Sequence, residues 1–117
     1  MDAKSDRIQS ALDFVRRNLC KNLTVDDLAD AAHLSRRQFS RVFRTETGLS
    51  PAKAVEHLRV EAARLMLEQS RHSIETIAAE TGFAGGDRMR NAFLRAYGMP
   101  PQAIRRSGRA EVDGARA

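Results

Sequence analysis

This 117-residue chain carries one pattern twice, and that repeat limits its possible folds more than any other feature. Thr24-Val-Asp-Asp-Leu-Ala reappears as Ser73-Ile-Glu-Thr-Ile-Ala, and the same offset, 24 against 73, holds through Leu34 and Phe83. Ala84 adds one residue. Beyond it Phe39 pairs with Met89, Phe43 with Phe93, Gly48 with Gly98 and Pro51 with Pro101. The positions held in common are apolar, Gly or Pro, which are the ones two copies of a supersecondary unit need in order to fold.

Between the copies lies Pro51–Gln69, a stretch without internal Gly or Pro after its first residue. Ser50-Pro51 is a helix-start signal, with Pro where its missing N–H costs nothing. Val55, Leu58, Ala62 and Leu65 recur at helical spacing, and Val60, Ala63 and Leu67 form a second stripe. A helix apolar on two sides is packed on two sides. At about 1.5 Å per residue it runs roughly 28 Å, so the stretch reads as a strut with a small helical unit at each end.

Along the chain, Met1 to Lys4 reads as a loose lead-in. From Ser5 to Leu19, Ile8, Ala11, Leu12, Val15 and Leu19 share one helical face. Thr24 caps a short helix from Val25 to Ala32, with Asp26 and Asp27 in the first turn where the helix dipole favours them. Ala32-His33-Leu34 is a tight turn. Ser35 caps a helix from Arg36 to Thr47 that ends at Gly48; Phe39, Val42 and Phe43 face inward, and arginines occupy its other faces. A short helix, a three- to four-residue turn and a second helix with a basic outer face match a helix-turn-helix. The second copy reads the same way: Ser73 caps Ile74 to Glu80, Thr81-Gly82-Phe83 turns, and a helix from Gly86 or Asp87 to Tyr97 ends at Gly98. In it Met89, Ala92, Phe93 and Ala96 are expected to face inward. A short last helix from Gln102 to Arg106 follows, and the small, polar composition from Ser107 reads as a disordered tail. Strand patterns are absent. The fold class is therefore all-α: about seven helices, in two helix-turn-helix subdomains joined by a long central helix. Its divisions are 1–49, 50–70, 71–106 and 107–117.

Composition narrows the partner. A formal net charge of +5 and a pI near 10.3, carried mostly by Arg, favour an anionic ligand, with nucleic acid ahead of membrane. One cysteine, Cys20, rules out a disulfide within the chain and reads as a small, partly buried apolar residue. His33, His57 and His72 show no metal-ligand spacing with one another or with Cys20. Phe14 and Tyr97 read as packing residues. No catalytic, cofactor or metal pattern is present. No apolar run reaches membrane-spanning length, and the first residues lack an apolar signal-peptide core, so the expected location is cytoplasmic.

Several of these motifs resemble one family. Ile77-Ala-Ala-Glu-Thr-Gly-Phe83 followed by Phe93-Leu-Arg-Ala-Tyr-Gly-Met-Pro-Pro-Gln-Ala-Ile-Arg105 resembles the signature of the AraC/XylS regulators. Leu28-Ala, Leu34-Ser-Arg-Arg, Phe43-Arg and Glu46-Thr-Gly-Leu-Ser-Pro51 match that family's first helix-turn-helix, and Arg59–Leu67 is similar to its linker helix. Asp87-Arg-Met-Arg-Asn-Ala-Phe93 resembles the subgroup with an amidotransferase-like N-terminal domain. The resemblance covers roughly Ser5 to Arg106. It implies a bacterial transcription regulator whose two helix-turn-helix units each insert their second helix into the major groove of double-stranded DNA. It also implies RNA polymerase as a partner, and an effector or dimerisation domain that this chain does not carry.

On that reading Arg37, Ser40 and Arg41, at i, i+3 and i+4 opposite Phe39, Val42 and Phe43, match positions that touch bases in the family. Arginine suits guanine O6 and N7. Gln38 is a side-facing adenine candidate. Arg36 and Arg44 are expected on phosphates. In the second unit the matching face is Gly86, Asp87, Arg88 and Asn91, which is weaker, with Arg88 the best base reader. Arg90, Arg95 and Arg105 are phosphate candidates, and Thr24 and Ser73 could offer N–H groups to phosphate at helix starts. The competing reading is a helical protein-interaction module that meets an acidic partner through the same arginines.

Overall fold

The computed structural model describes the backbone of residues 3–116 and the side chains of residues 6–108. Among the described residues there are seven helices and no strand: α1 (Ala3–Arg17), α2 (Val25–Ala31), α3 (Arg36–Thr47), α4 (Pro51–Gln69), α5 (Ile74–Glu80), α6 (Gly86–Tyr97) and α7 (Pro101–Arg116). They divide into two compact units, Met1–Leu58 and Arg59–Ala117, with the division inside α4.

Unit 1 is built on Ile8, Ala11 and Val15 of α1, Leu28 and Ala29 of α2, Phe39 and Phe43 of α3, and Ala54 and Val55 of α4, together with Ala32. Phe39 and Phe43 lie one turn apart with ring centroids 5.3 Å from each other. Unit 2 packs Val60, Ala63 and Leu67 of α4 around Ile77 and Ala78, then Met89, Ala92 and Phe93, with Ile104 of α7. Each of these buried apolar side chains is worth roughly 1.5–3 kcal/mol if large, so two such cores suffice for two small units.

The turn inside each unit has the same chemistry. In unit 1 the Leu34 N–H donates to the Ala29 carbonyl (3.0 Å) and His33 N–H to Asp30 (3.1 Å). In unit 2 Phe83 N–H donates to Ala78 (2.9 Å) and Gly82 N–H to Ala79 (3.4 Å). This crossed pair is the Schellman closure of a helix C-terminus, and it requires a left-handed residue just past the helix. Gly82 supplies it at φ 88° without strain. His33 adopts it at φ 57° as the one non-glycine with positive φ among the described residues.

Five expectations are corrected. The last helix does not stop at Arg106: α7 continues to Arg116, so the segment from Ser107 is helical where a disordered tail was expected. No proline follows Pro101, and Arg, Ala and Glu carry the helix past Gly108 and Gly114, each of which costs only about 1 kcal/mol relative to Ala. Leu65 is 50% exposed, because unit 2 takes the Val60–Ala63–Leu67 side of α4. Ala96 is exposed, since Ala92 and Phe93 already fill the inward arc of α6. Cys20 is exposed rather than partly buried; α1 ends at Arg17, and the chain has left the helix before reaching it. Of the expected lead-in, Met1 and Asp2 lie outside the described residues, and Ala3 and Lys4 are the first turn of α1.

Candidate nucleic-acid interface

Each unit presents its second helix outward. In α3 the pinning of Phe39 and Phe43 in the core, both 0% exposed, forces the other faces into solvent. Arg36, Arg37, Gln38, Arg41 and Arg44 are all exposed, and Ser40 is half-buried. Among the described residues neither the Arg37 nor the Arg41 guanidinium has a hydrogen-bond or ion-pair partner. Arg36 has one: its Nε lies 4.0 Å from Oδ1 of Asp26, an exposed pair of little energetic weight.

Both helices of the turn motif in unit 1, α2 and α3, start with a capping box. The Thr24 hydroxyl accepts from the Asp27 N–H (3.1 Å), and the Asp27 carboxylate accepts from the Thr24 N–H (3.0 Å). The amide and hydroxyl of Thr24 hold the Asp27 carboxyl below its ordinary value. Ser35 and Gln38 repeat the device: Ser35 Oγ accepts from the Gln38 N–H, and Gln38 Oε1 accepts from the Ser35 N–H, both at 3.2 Å. Two expected contact residues thus also serve as caps: the Thr24 N–H donates to a carboxylate, a role compatible with phosphate nearby, and Gln38, the side-facing adenine candidate, lies against the start of α3. The spacings Thr24-x-x-Asp27 and Ser35-x-x-Gln38 carried that signal.

In unit 2 Asp87, Arg88, Arg90, Asn91 and Arg95 are exposed around a buried Met89, Ala92 and Phe93. α5 is capped by Ser73, whose hydroxyl accepts from the Thr76 N–H (3.1 Å). Thr76 stands where Asp27 stands in unit 1, so no carboxylate closes the box. α6 begins at Gly85 with no side-chain cap, at φ 109° and ψ 165°, whereas Ser35 sits at φ −68° and ψ 159°. Gly85 absorbs the residue inserted at Ala84. The Glu75 carboxylate occupies the space a side chain on Gly86 would need.

Arg105, a phosphate candidate, is half-buried and held by backbone carbonyls. Its Nε donates to the Leu67 carbonyl (3.2 Å), and its Nη2 donates to Ser70 (3.4 Å) and His72 (2.8 Å). One of these carbonyls, Leu67, is in the last turn of α4 and the other two are in the connector after it, so one guanidinium with five N–H groups ties the helix end to the connector. Tyr97 packs edge-on to Phe93 (5.6 Å) and lies under the Arg64 guanidinium (4.8 Å). That is the packing role expected of Tyr97. No group of three or more metal-binding side chains occurs among the described residues, and no helix there is long and apolar enough to cross a membrane.

Two short-helix, Schellman-turn, long-helix units with a basic outer helix define a double helix-turn-helix domain. Residues 28–107 match the family described as a helix-turn-helix domain. The HTH-type transcriptional regulator Rv1931c of Mycobacterium tuberculosis is 40% identical over 83 residues, which is 71% of this chain and 32% of the relative. The HTH-type transcriptional activator RhaS of Pectobacterium carotovorum is 31% identical over 98 residues, 84% of this chain and 35% of the relative. The chain therefore spans about a third of the length of these curated relatives. The crystal structure of the DNA-binding domain of AdpA in complex with a target DNA matches with a TM-score of 0.79 at 33% identity, covering 95% of this chain and 96% of that one. An AraC-type structure from Chromobacterium violaceum matches with a TM-score of 0.84 at 28% identity, covering 89% and 93%. The chain belongs to the AraC/XylS family of transcriptional regulators and is an AraC-type DNA-binding domain.

Proposed function

We propose that this domain binds double-stranded DNA sequence-specifically to regulate transcription, each unit setting its second helix, α3 or α6, in a major groove. One observation carries the reading. Arg37 and Arg41 stand exposed on the face of α3 opposite Phe39 and Phe43, with no partner for either guanidinium among the described residues. Guanidinium groups held in this way are ready to form bidentate contacts with guanine. The target-DNA complex of AdpA, a structural neighbour, supports the same use of the fold. In this reading Arg37, Ser40 and Arg41 read base edges in unit 1, and Arg36 and Arg44 hold phosphates. Arg95 is an anchor in unit 2. The chemistry is binding, not catalysis, with RNA polymerase and a fused effector or dimerisation domain as the remaining partners.

The two faces differ in sequence, so the preferred site lacks two-fold symmetry. Selection from a random duplex pool, with sequencing of the retained fraction, tests this. An enriched asymmetric motif is the expected result. A folded protein that enriches nothing would instead favour an acidic protein partner for the same arginines.

A further inference from the structure

The two reading helices can be aligned residue by residue from their own packing. α3 and α6 are each 12 residues long, and each ends on a left-handed glycine, Gly48 at φ 75° and Gly98 at φ 73°. Phe39 and Phe43 in one, and Met89 and Phe93 in the other, are 0% exposed. Two buried residues one turn apart fix the rotation of a helix about its axis, and with it the direction of every other side chain. A residue of α3 therefore has the same bearing within its unit as the residue 50 places later in α6.

The outer face Arg37–Ser40–Arg41 then corresponds to Asp87–Arg90–Asn91. Arg88 falls at the bearing of Gln38, and in unit 1 that side chain lies against the Ser35 cap, not on the outer face. We infer that Arg90, rather than Arg88, is the residue with which unit 2 reads a base, and that the base is guanine. The inference rests on the major-groove reading of α6 proposed above. Arg90 is exposed, and among the described residues its guanidinium has no partner. Its planar donor fork fits guanine O6 and N7. Asp87, one turn earlier on the same face, is a poor neighbour for phosphate and a good acceptor for cytosine N4. Asn91 offers the donor and acceptor that adenine presents a match for. Arg88 lies beside this face and serves as a phosphate anchor.

Three variants in the random-duplex selection test this: Arg90→Ala, Arg90→Lys and Arg88→Ala. All three change exposed side chains, and circular dichroism confirms that each is folded. Arg90→Ala is expected to erase one guanine preference in the weaker half of the wild-type motif and to weaken the selected duplex roughly ten- to hundredfold. Arg90→Lys keeps the charge but not the fork, so it should keep the salt slope of binding and still lose that guanine. Arg88→Ala should keep the whole motif, lower affinity for all duplexes alike and reduce the salt slope by about one contact. Loss of the guanine in Arg88→Ala, or its retention in Arg90→Lys, would overturn the assignment while leaving the DNA-binding reading intact. A wild-type protein that enriches no motif would remove both.

Discussion

Unit 1 carries arginines at 36, 37, 41 and 44 on its reading helix; unit 2 has Gly86, Asp87, Asn91 and Leu94 at the matching positions. Behind these faces the two units are nearly the same object, with the same turn closure, the same paired buried side chains and the same terminal glycine. The difference teaches that packing and capping set what the repeat must keep, while the solvent face is free to diverge. On the proposed reading it gives unit 1 the larger share of base recognition. The caps differ as well: in unit 1 α2 and α3 both start on reciprocal side-chain boxes, whereas in unit 2 α6 starts on a glycine with no side-chain cap among the described residues.

The largest expected effects test whether the two cores are separate. Phe43→Ala and Phe93→Ala should each cost about 3–5 kcal/mol. Amide hydrogen exchange should show lost protection mainly in α1–α3 for the first and in α5–α6 for the second. Equal loss everywhere in both variants would mean the two cores unfold as one.

Next come the reading faces. Arg41→Ala should lower affinity for the selected duplex by about 1–3 kcal/mol and flatten one or two base positions. Asn91→Ala should lose less in the same titration. The reverse order would break the assignment of recognition chiefly to unit 1.

The backbone differences give smaller effects. Gly85→Ala should destabilise unit 2 by about 1–3 kcal/mol in thermal or urea unfolding, because φ 109° with ψ 165° is close to a glycine-only region. Nothing lies within 4 Å of the added Cβ, so the cost is conformational rather than a clash. Ser35→Ala at the matching cap should cost about 1 kcal/mol through the lost hydrogen bond. His33→Gly should stabilise unit 1 by up to about 1 kcal/mol, and Gly82→Ala should destabilise unit 2 by a similar amount.

The smallest effect is in acid. The Asp27 carboxyl is held below its ordinary value of 3.8 by hydrogen bonds from the Thr24 amide and hydroxyl. Its contribution is complete above that value and is lost as pH falls through the lowered one. Asp27→Asn should flatten the acid limb of unit 1 stability, followed through the amides of α2. Thr76, the matching residue, does not titrate, so the amides of α5 should show no such change.

Much of this was legible in the sequence. The central helix, both turns and the starts of α2, α3 and α5 follow from Pro51, the repeat and Thr24, Ser35 and Ser73. The buried positions follow from helical spacing, because the same residues recur in both copies. What escaped has specific causes. Beyond Arg106 the apolar positions of α7 are only Ala110, Val112 and Ala115, among Gly108 and Gly114, so a composition of small and polar residues reads as a tail although the helix continues. The carbonyl contacts of Arg105 also left no sign, because an arginine on a polar helix face reads alike whether it meets phosphate, carbonyls or both. Side-chain chemistry alone points to Arg88 as a base reader, whereas the bearing set by the buried pair Met89 and Phe93 favours Arg90 on the inference drawn above.

Backbone amide shifts of the labelled domain, recorded while a selected duplex is added, test the central claim most directly. The account predicts that the largest changes fall in α3 and α6, and that those in α3 persist to higher salt. Shifts concentrated in α1 or α7, with α3 unchanged at saturation, would contradict it.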